Sequence, residues 1–126
     1  MGYGDQIYVI RPFLNLDGVY EHHGIDCGDG TVIHYSKRPA EATILCTPIA
    51  EFAEDRVIYT RRYRQCYIAA TTIQRAQSRL GEQQYNLLFN NCEHFATWCK
   101  TGATESQQVR DFVPIARTAM QPLALL

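Results

Sequence analysis

Apolar positions change their rhythm along the chain: short β-branched and aromatic runs fill the first half, and helical spacing takes over in the second. Gln6 to Phe13 is apolar-rich and predicts a strand whose end is marked by Pro12. Tyr20 to Cys27 and Thr31 to Tyr35 are β-rich runs on either side of Gly28-Asp29-Gly30, the pattern of a hairpin. Pro39 to Ala42 punctuates the chain before a further strand at Thr43 to Cys46. Thr47-Pro48 then resembles a helix start, with proline at the first helical position and apolar Ile49, Phe52 and Ala53 following. Arg56 to Tyr63 reads as one more strand.

In the second half, Thr71 or Thr72 can cap a helix carrying Ile73, Ala76 and Leu80 on one stripe, with Gly81 just past its end. Tyr85 to Phe89 is a short apolar approach, extended or a last turn. Asn91 is a good N-cap for a helix from Cys92 to about Thr101, with Phe95, Trp98 and Cys99 on one face. Lys100 lies near its negative end and Gly102 stops it. Thr104 and Gln107 resemble a capping box for a final helix that Pro114 breaks or kinks, ahead of an apolar tail from Pro122 to Leu126. Strands first and helices afterwards predict an α+β fold with an antiparallel sheet packed against helices.

At 126 residues the chain predicts a single domain, and 46% hydrophobic with 20% charged residues excludes a disordered one. The net charge of −1 gives no global pull toward nucleic acid. Basic residues bunch at Lys37-Arg38 and at Arg61, Arg62 and Arg64; these read as a solvated rim, the sharper alternative being a docking surface for anionic head groups. Five cysteines, at 27, 46, 66, 92 and 99, form no CxxC pair and follow no signal peptide. Reduced thiols and a cytoplasmic location are expected. No stretch approaches the roughly 20 apolar residues that span a bilayer, so the expectation is a soluble protein, or one peripheral at a membrane.

Cysteine is a strong nucleophile only as thiolate, and a helix N-terminus or a neighbouring imidazole can lower its pKa. Just after the Asn91 cap, Cys92 has orphan backbone N–H groups aimed at it, and the same groups can donate to a developing oxyanion. Three of the four histidines, His22, His23 and His34, lie on or beside the predicted hairpin. His22 and His34 can share a face, whereas His23 points to the opposite one. In such a Cys–His–His set, one imidazole takes the thiol proton while the other orients it. Cys27, Cys46, Cys66 and Cys99 read as small buried hydrophobes, and His94 as a helix-surface residue. A zinc site from His22, His34 and Cys92 fits no compact zinc spacing, so neither metal nor cofactor is expected.

Asn91-Cys92-Glu93-His94-Phe95 resembles the NC box of the lecithin retinol acyltransferase-like family, and Tyr20 to Ile25 with Gly28-Asp29-Gly30 and Val32-Ile33-His34 resembles its H-box. Gln74 to Gly81 and Ser106 to Val109 add to the likeness, which covers roughly residues 5 to 113 of a single domain at 1–126, leaving a helical tail from about 107. The resemblance implies a circularly permuted relative of NlpC-type papain-like enzymes. It implies Cys92 as nucleophile, His22 as base and His34 as its orienting partner, with Tyr20 and Asn91 in support of the oxyanion. The implied chemistry passes an acyl chain from a phospholipid to the thiol as a thioester, then to water, an amine or an alcohol. His23 stands where better-known animal members carry Trp or Tyr, and the type resembles bacterial or plant members. An amidase or peptidase with the same three residues, and a catalytically silent binding module, are the rival expectations.

Overall fold

The computed structural model describes residues 1–13, 17–84 and 91–103. Six strands form one antiparallel sheet: β1 (Gln6–Pro12), β2 (Val19–Asp26), β3 (Thr31–Ser36), β4 (Ala42–Pro48), β5 (Tyr59–Arg61) and β6 (Gln83–Gln84), in the order β5-β1-β2-β3-β4-β6. Among the described residues three helices accompany it: α1 (Ile49–Ala53), α2 (Ala69–Ser78) and α3 (Asn91–Thr101). The expected α+β class is borne out. The Gly28-Asp29-Gly30 turn joins β2 to β3 with both glycines at positive φ, 80° and 90°.

Each sheet face buries its own core. Ile25, Ile33, Tyr35 and Ile44 pack beneath Ile73 and Ala76 of α2 and Phe95, Ala96 and Cys99 of α3. On the other face Ile7, Val9 and Val32 pack against Phe52 and Ala53 of α1. Cover on both faces explains why β1 and β3 read as near-continuous apolar runs rather than alternating ones. Helix α3 is fastened at its far end, where the buried Lys100 ammonium donates to the Gly4 carbonyl at 2.8 Å. Gly102, at φ 74°, turns the chain there and donates its N–H to the Trp98 carbonyl at 2.8 Å. Arg75 of α2 ties the two helices together, its guanidinium 3.8 Å over the Trp98 ring.

Several expectations shift. Strand β4 runs on to Pro48, so that proline occupies the N-cap position rather than the first helical one, and no side chain caps α1. Only Tyr59–Arg61 of the expected Arg56 to Tyr63 strand is paired, to Gln6–Tyr8 of β1. Helix α2 begins ahead of Thr71 and Thr72; Thr72 lies inside it and its hydroxyl turns back to the Ile68 carbonyl at 3.3 Å. Leu80 falls beyond that helix and is exposed, so the buried stripe is Thr72, Ile73 and Ala76. Of the four cysteines expected as small buried hydrophobes, Cys46 and Cys66 are exposed and Cys27 is half-buried, and only Cys99 is buried; Cys92 is buried too, and all five are free thiols. The readings made for Tyr85 to Phe89 and for everything after Ala103 lie outside the described residues.

Gly24 is required by close packing on the α1 face. A Cβ there would lie 2.6 Å from Val32 Cγ1, 3.0 Å from Phe52 Cε1 and 3.1 Å from His34 Cβ. Gly24→Val should therefore destabilise the fold by about 1–3 kcal/mol, the usual cost of overpacking. Urea denaturation checks this, and an unchanged midpoint would show that the strand has slack the packing does not suggest.

Candidate active site

The site begins with an opening in the sheet. Strand β1 pairs with β2 over the whole stretch from Val19 to Ile25, yet β3 pairs with β2 only at Ile25 and Asp26. The Asp26 N–H donates to the Asp5 carbonyl at 2.9 Å, on the β1 side. Peptide groups alternate edges along a strand, so those of Glu21 and His23 turn to the edge that β3 leaves open. The N-terminus of α3 occupies that opening: Cys92 Sγ stands 3.5 Å from the Glu21 carbonyl oxygen, and the His23 N–H points at the same sulfur. The thiol thus meets β2 on both sides of His22.

His22 turns to the α1 face, as its alternation with His23 predicts. Its Nε2 is 2.9 Å from His34 Nδ1, and His34 Nε2 is 2.8 Å from the Thr47 hydroxyl, which points on to the Pro48 carbonyl at 3.4 Å. Phe52 packs against both rings, at 5.4 and 5.1 Å between centroids. Thr47 was read as part of a helix start; its hydroxyl serves His34 instead. A threonine directly after the expected strand at Thr43 to Cys46 carries no sequence signal for that role. Tyr20 stands edge-on to His22 with centroids 6.3 Å apart. Asn91 is the first residue of α3 rather than the cap before it, which makes Cys92 the second helical residue.

Protonation follows burial. His22 is held well below an ordinary imidazole, by desolvation first and by the Arg11 guanidinium next, and the same two causes bring His34 down to about 4. The backbone N–H groups of His23, Glu93 and Cys92 itself favour a thiolate, but burial outweighs them and pushes the Cys92 thiol up to about 11. Burial therefore reverses the acidification expected from the helix N-terminus and favours a protonated thiol beside two neutral imidazoles.

A second polar cluster, which the sequence did not reveal, lies on the α3 side of β2. His23 stacks on Tyr8 at 4.8 Å, receives the Gln6 amide on Nδ1 at 3.0 Å and donates from Nε2 to Glu21 at 3.0 Å. Arg61 was grouped with a solvated rim, yet it is buried: one guanidinium nitrogen donates to Glu21 at 2.8 Å and another to Glu93 at 2.7 Å. Glu21, His23 and Glu93 offer ligand atoms within 4.8 Å of one another, but the cation between the two carboxylates is this guanidinium. A zinc ion on His22, His34 and Cys92 fits no better, since the facing imidazole nitrogens are committed to each other.

Comparison with known proteins matches residues 1–105 to the family described as Lecithin retinol acyltransferase. Phospholipase A and acyltransferase 3 of Homo sapiens is 28% identical, covering 98% of this chain and 85% of its own, and that of Mus musculus is 30% identical over the same shares. Lecithin retinol acyltransferase of Mus musculus is 50% identical over 38 residues, 30% of this chain and 16% of that protein.

Three neutral buried imidazoles also set a stability profile. The folded-state values of His22, His23 and His34 are depressed, so the unfolded chain binds the extra protons and stability is lost as pH falls below about 6.5. For His34 the shift to about 4 corresponds to about 3 kcal/mol. Thermal melts from pH 7.5 to 5 should show a falling Tm, and His34→Gln should flatten that slope. A Tm indifferent to pH across this range would contradict the neutral, buried assignment.

Proposed function

The chain belongs to the lecithin retinol acyltransferase family, and on that footing we propose that it moves acyl groups from phospholipids through a thioester on Cys92. It is an enzyme of the acyltransferase and phospholipase kind; the nucleophile, the intermediate and the acyl donor are the proposed part. The observation that carries the reading is the thiol lodged against the backbone of β2 on both sides of His22, whose ring is hydrogen-bonded to His34, itself bonded to Thr47.

The hydrogen-bond chain supports one set of proton positions. With the Thr47 hydroxyl proton on the Pro48 carbonyl, His34 Nε2–H donates to Thr47 and His22 Nε2–H donates to His34 Nδ1. That leaves the lone pair of His22 Nδ1 to take the thiol proton. His23 is a poorer base, because both its nitrogens are engaged with Gln6 and Glu21. As Sγ attacks an ester carbonyl, His22 receives the proton and charge gathers on the carbonyl oxygen. N–H groups at the start of α3 and the Tyr20 hydroxyl are the donors within this arrangement for that oxyanion. Collapse expels the lysophospholipid alkoxide, which takes the proton from His22 and leaves an acyl thioester. Water, an alcohol or an amine then repeats the cycle, with His22 again as base, and the thiol is regenerated. Because the resting thiol is protonated, the step is general-base catalysis rather than attack by a standing thiolate.

Lipid is the substrate class that the relatives' names suggest for this chain. Contact with it would be peripheral: among the described residues no helix is long and apolar enough to cross a membrane.

Turnover of short-chain phospholipids should be abolished in Cys92→Ala and His22→Ala. It should fall about 10–100-fold in His34→Gln and less in Thr47→Val, in keeping with the 10²–10⁴-fold usual for general-base catalysis. Since His22 stays neutral well below an ordinary imidazole, kcat/KM should hold level from pH 7.5 down to about 5.5. Amide substrates consumed in place of esters would overturn the lipid assignment, and an acid limb centred near 6.5 would overturn the protonation scheme.

A further inference from the structure

We propose that Arg61 is a positioning residue for Cys92, a role that rests on the reading of that thiol as nucleophile. The side chain reaches in from β5 and is 3% exposed, where an uncompensated charge would be costly. Its planar fork joins the two segments that meet at the sulfur. One arm holds Glu21, whose carbonyl oxygen is 3.5 Å from Cys92 Sγ, and the other holds Glu93, the next residue after Cys92 on α3. Glu21 also accepts from His23, whose backbone N–H points at the sulfur, and His23 is held in turn by Gln6. The network continues from Gln6 to Thr97, a turn and a half further along α3, at 3.2 Å. Removing the fork frees the start of α3 from β2 at the place where the thiol must meet His22.

Charge works in the same direction. Among the described residues, the titratable and charged groups around Cys92 include Glu93 and His94 on its own helix, Glu21, His22 and His23 along the stretch of β2 it meets, Tyr35 on β3, and Arg61, which reaches Glu93 and Glu21 from β5. The His22 and His23 imidazoles are neutral, so Arg61 is the cation that balances the two carboxylates. Without it, the Glu93 carboxylate next to the thiol is left unbalanced and opposes any negative charge on sulfur.

The full chain carrying Arg61→Lys, Arg61→Met, Arg61→Met with Glu93→Gln, or Cys92→Ala tests the role. Ester turnover, the pH profile of iodoacetamide alkylation at Cys92 read by peptide mass spectrometry, and circular dichroism are measured together. Arg61→Lys keeps the charge and loses the fork: kcat should fall about tenfold with KM within about twofold, as displacement of a reacting group implies. Arg61→Met should lose more and shift the alkylation profile to higher pH, and adding Glu93→Gln should move that profile back. Folded Arg61 variants with wild-type kcat and an unshifted profile would overturn the proposal, as would lost stability with no change in either readout. If Cys92→Ala retains turnover, the reading of the nucleophile fails, while the alkylation profiles still report whether Arg61 controls that thiol.

Discussion

The early parting of β2 and β3 is the constraint on which the site depends. A sheet that stayed paired past Ile25 and Asp26 would spend the peptide groups of Glu21 and His23 on β3 and leave no place for sulfur. Because the strands separate, those groups become the floor of a slot that the start of α3 plugs, with Cys92 Sγ on the Glu21 carbonyl. Across that gap His22 and His34 still meet in an imidazole–imidazole hydrogen bond. Gly24, lacking a side chain, lets Phe52 and His34 approach. Fold and candidate site share one geometric cause: the backbone that would have made a longer sheet receives the Cys92 sulfur instead.

Two polar layers support that slot from opposite faces of β2. On the α1 side His22, His34 and Thr47 form a buried, hydrogen-bonded chain. On the α3 side Gln6, His23, Glu21, Arg61 and Glu93 form a charged chain that holds elements in place. Burial of this kind is expensive unless every group finds a partner, which is why each layer is linked end to end rather than left as isolated pairs. The alternation of His22 and His23 along one strand lets adjacent histidines serve these different tasks.

Much of this was legible in the sequence, for reasons that are physical and local. The hairpin followed from two β-rich runs around Gly28-Asp29-Gly30, and even spacing put His22 and His34 on one face with His23 on the other. Helix α3 was visible from its apolar face and from Gly102. What stayed hidden depends on partners distant in sequence. Arg61 looked like one more member of a basic run; only the pairing of β5 with β1 turns it inward, onto carboxylates 40 residues before it and 32 after it. Thr47 looked like part of a helix start because Pro48 follows it, and its real partner is set by the register of β4 on β3. The thiol's proton affinity was misjudged because a helix N-terminus is readable from sequence and depth of burial is not.

The central claim is that Cys92 carries the acyl group, and trapping the intermediate tests it most directly. The protein is mixed with a short-chain phospholipid, quenched in acid within the first turnovers and mapped by peptide mass spectrometry. The account predicts one acyl chain on the peptide containing Cys92, released by hydroxylamine and absent from Cys92→Ala. Sustained turnover with no acyl group on that peptide, or with the adduct on another residue, would contradict it.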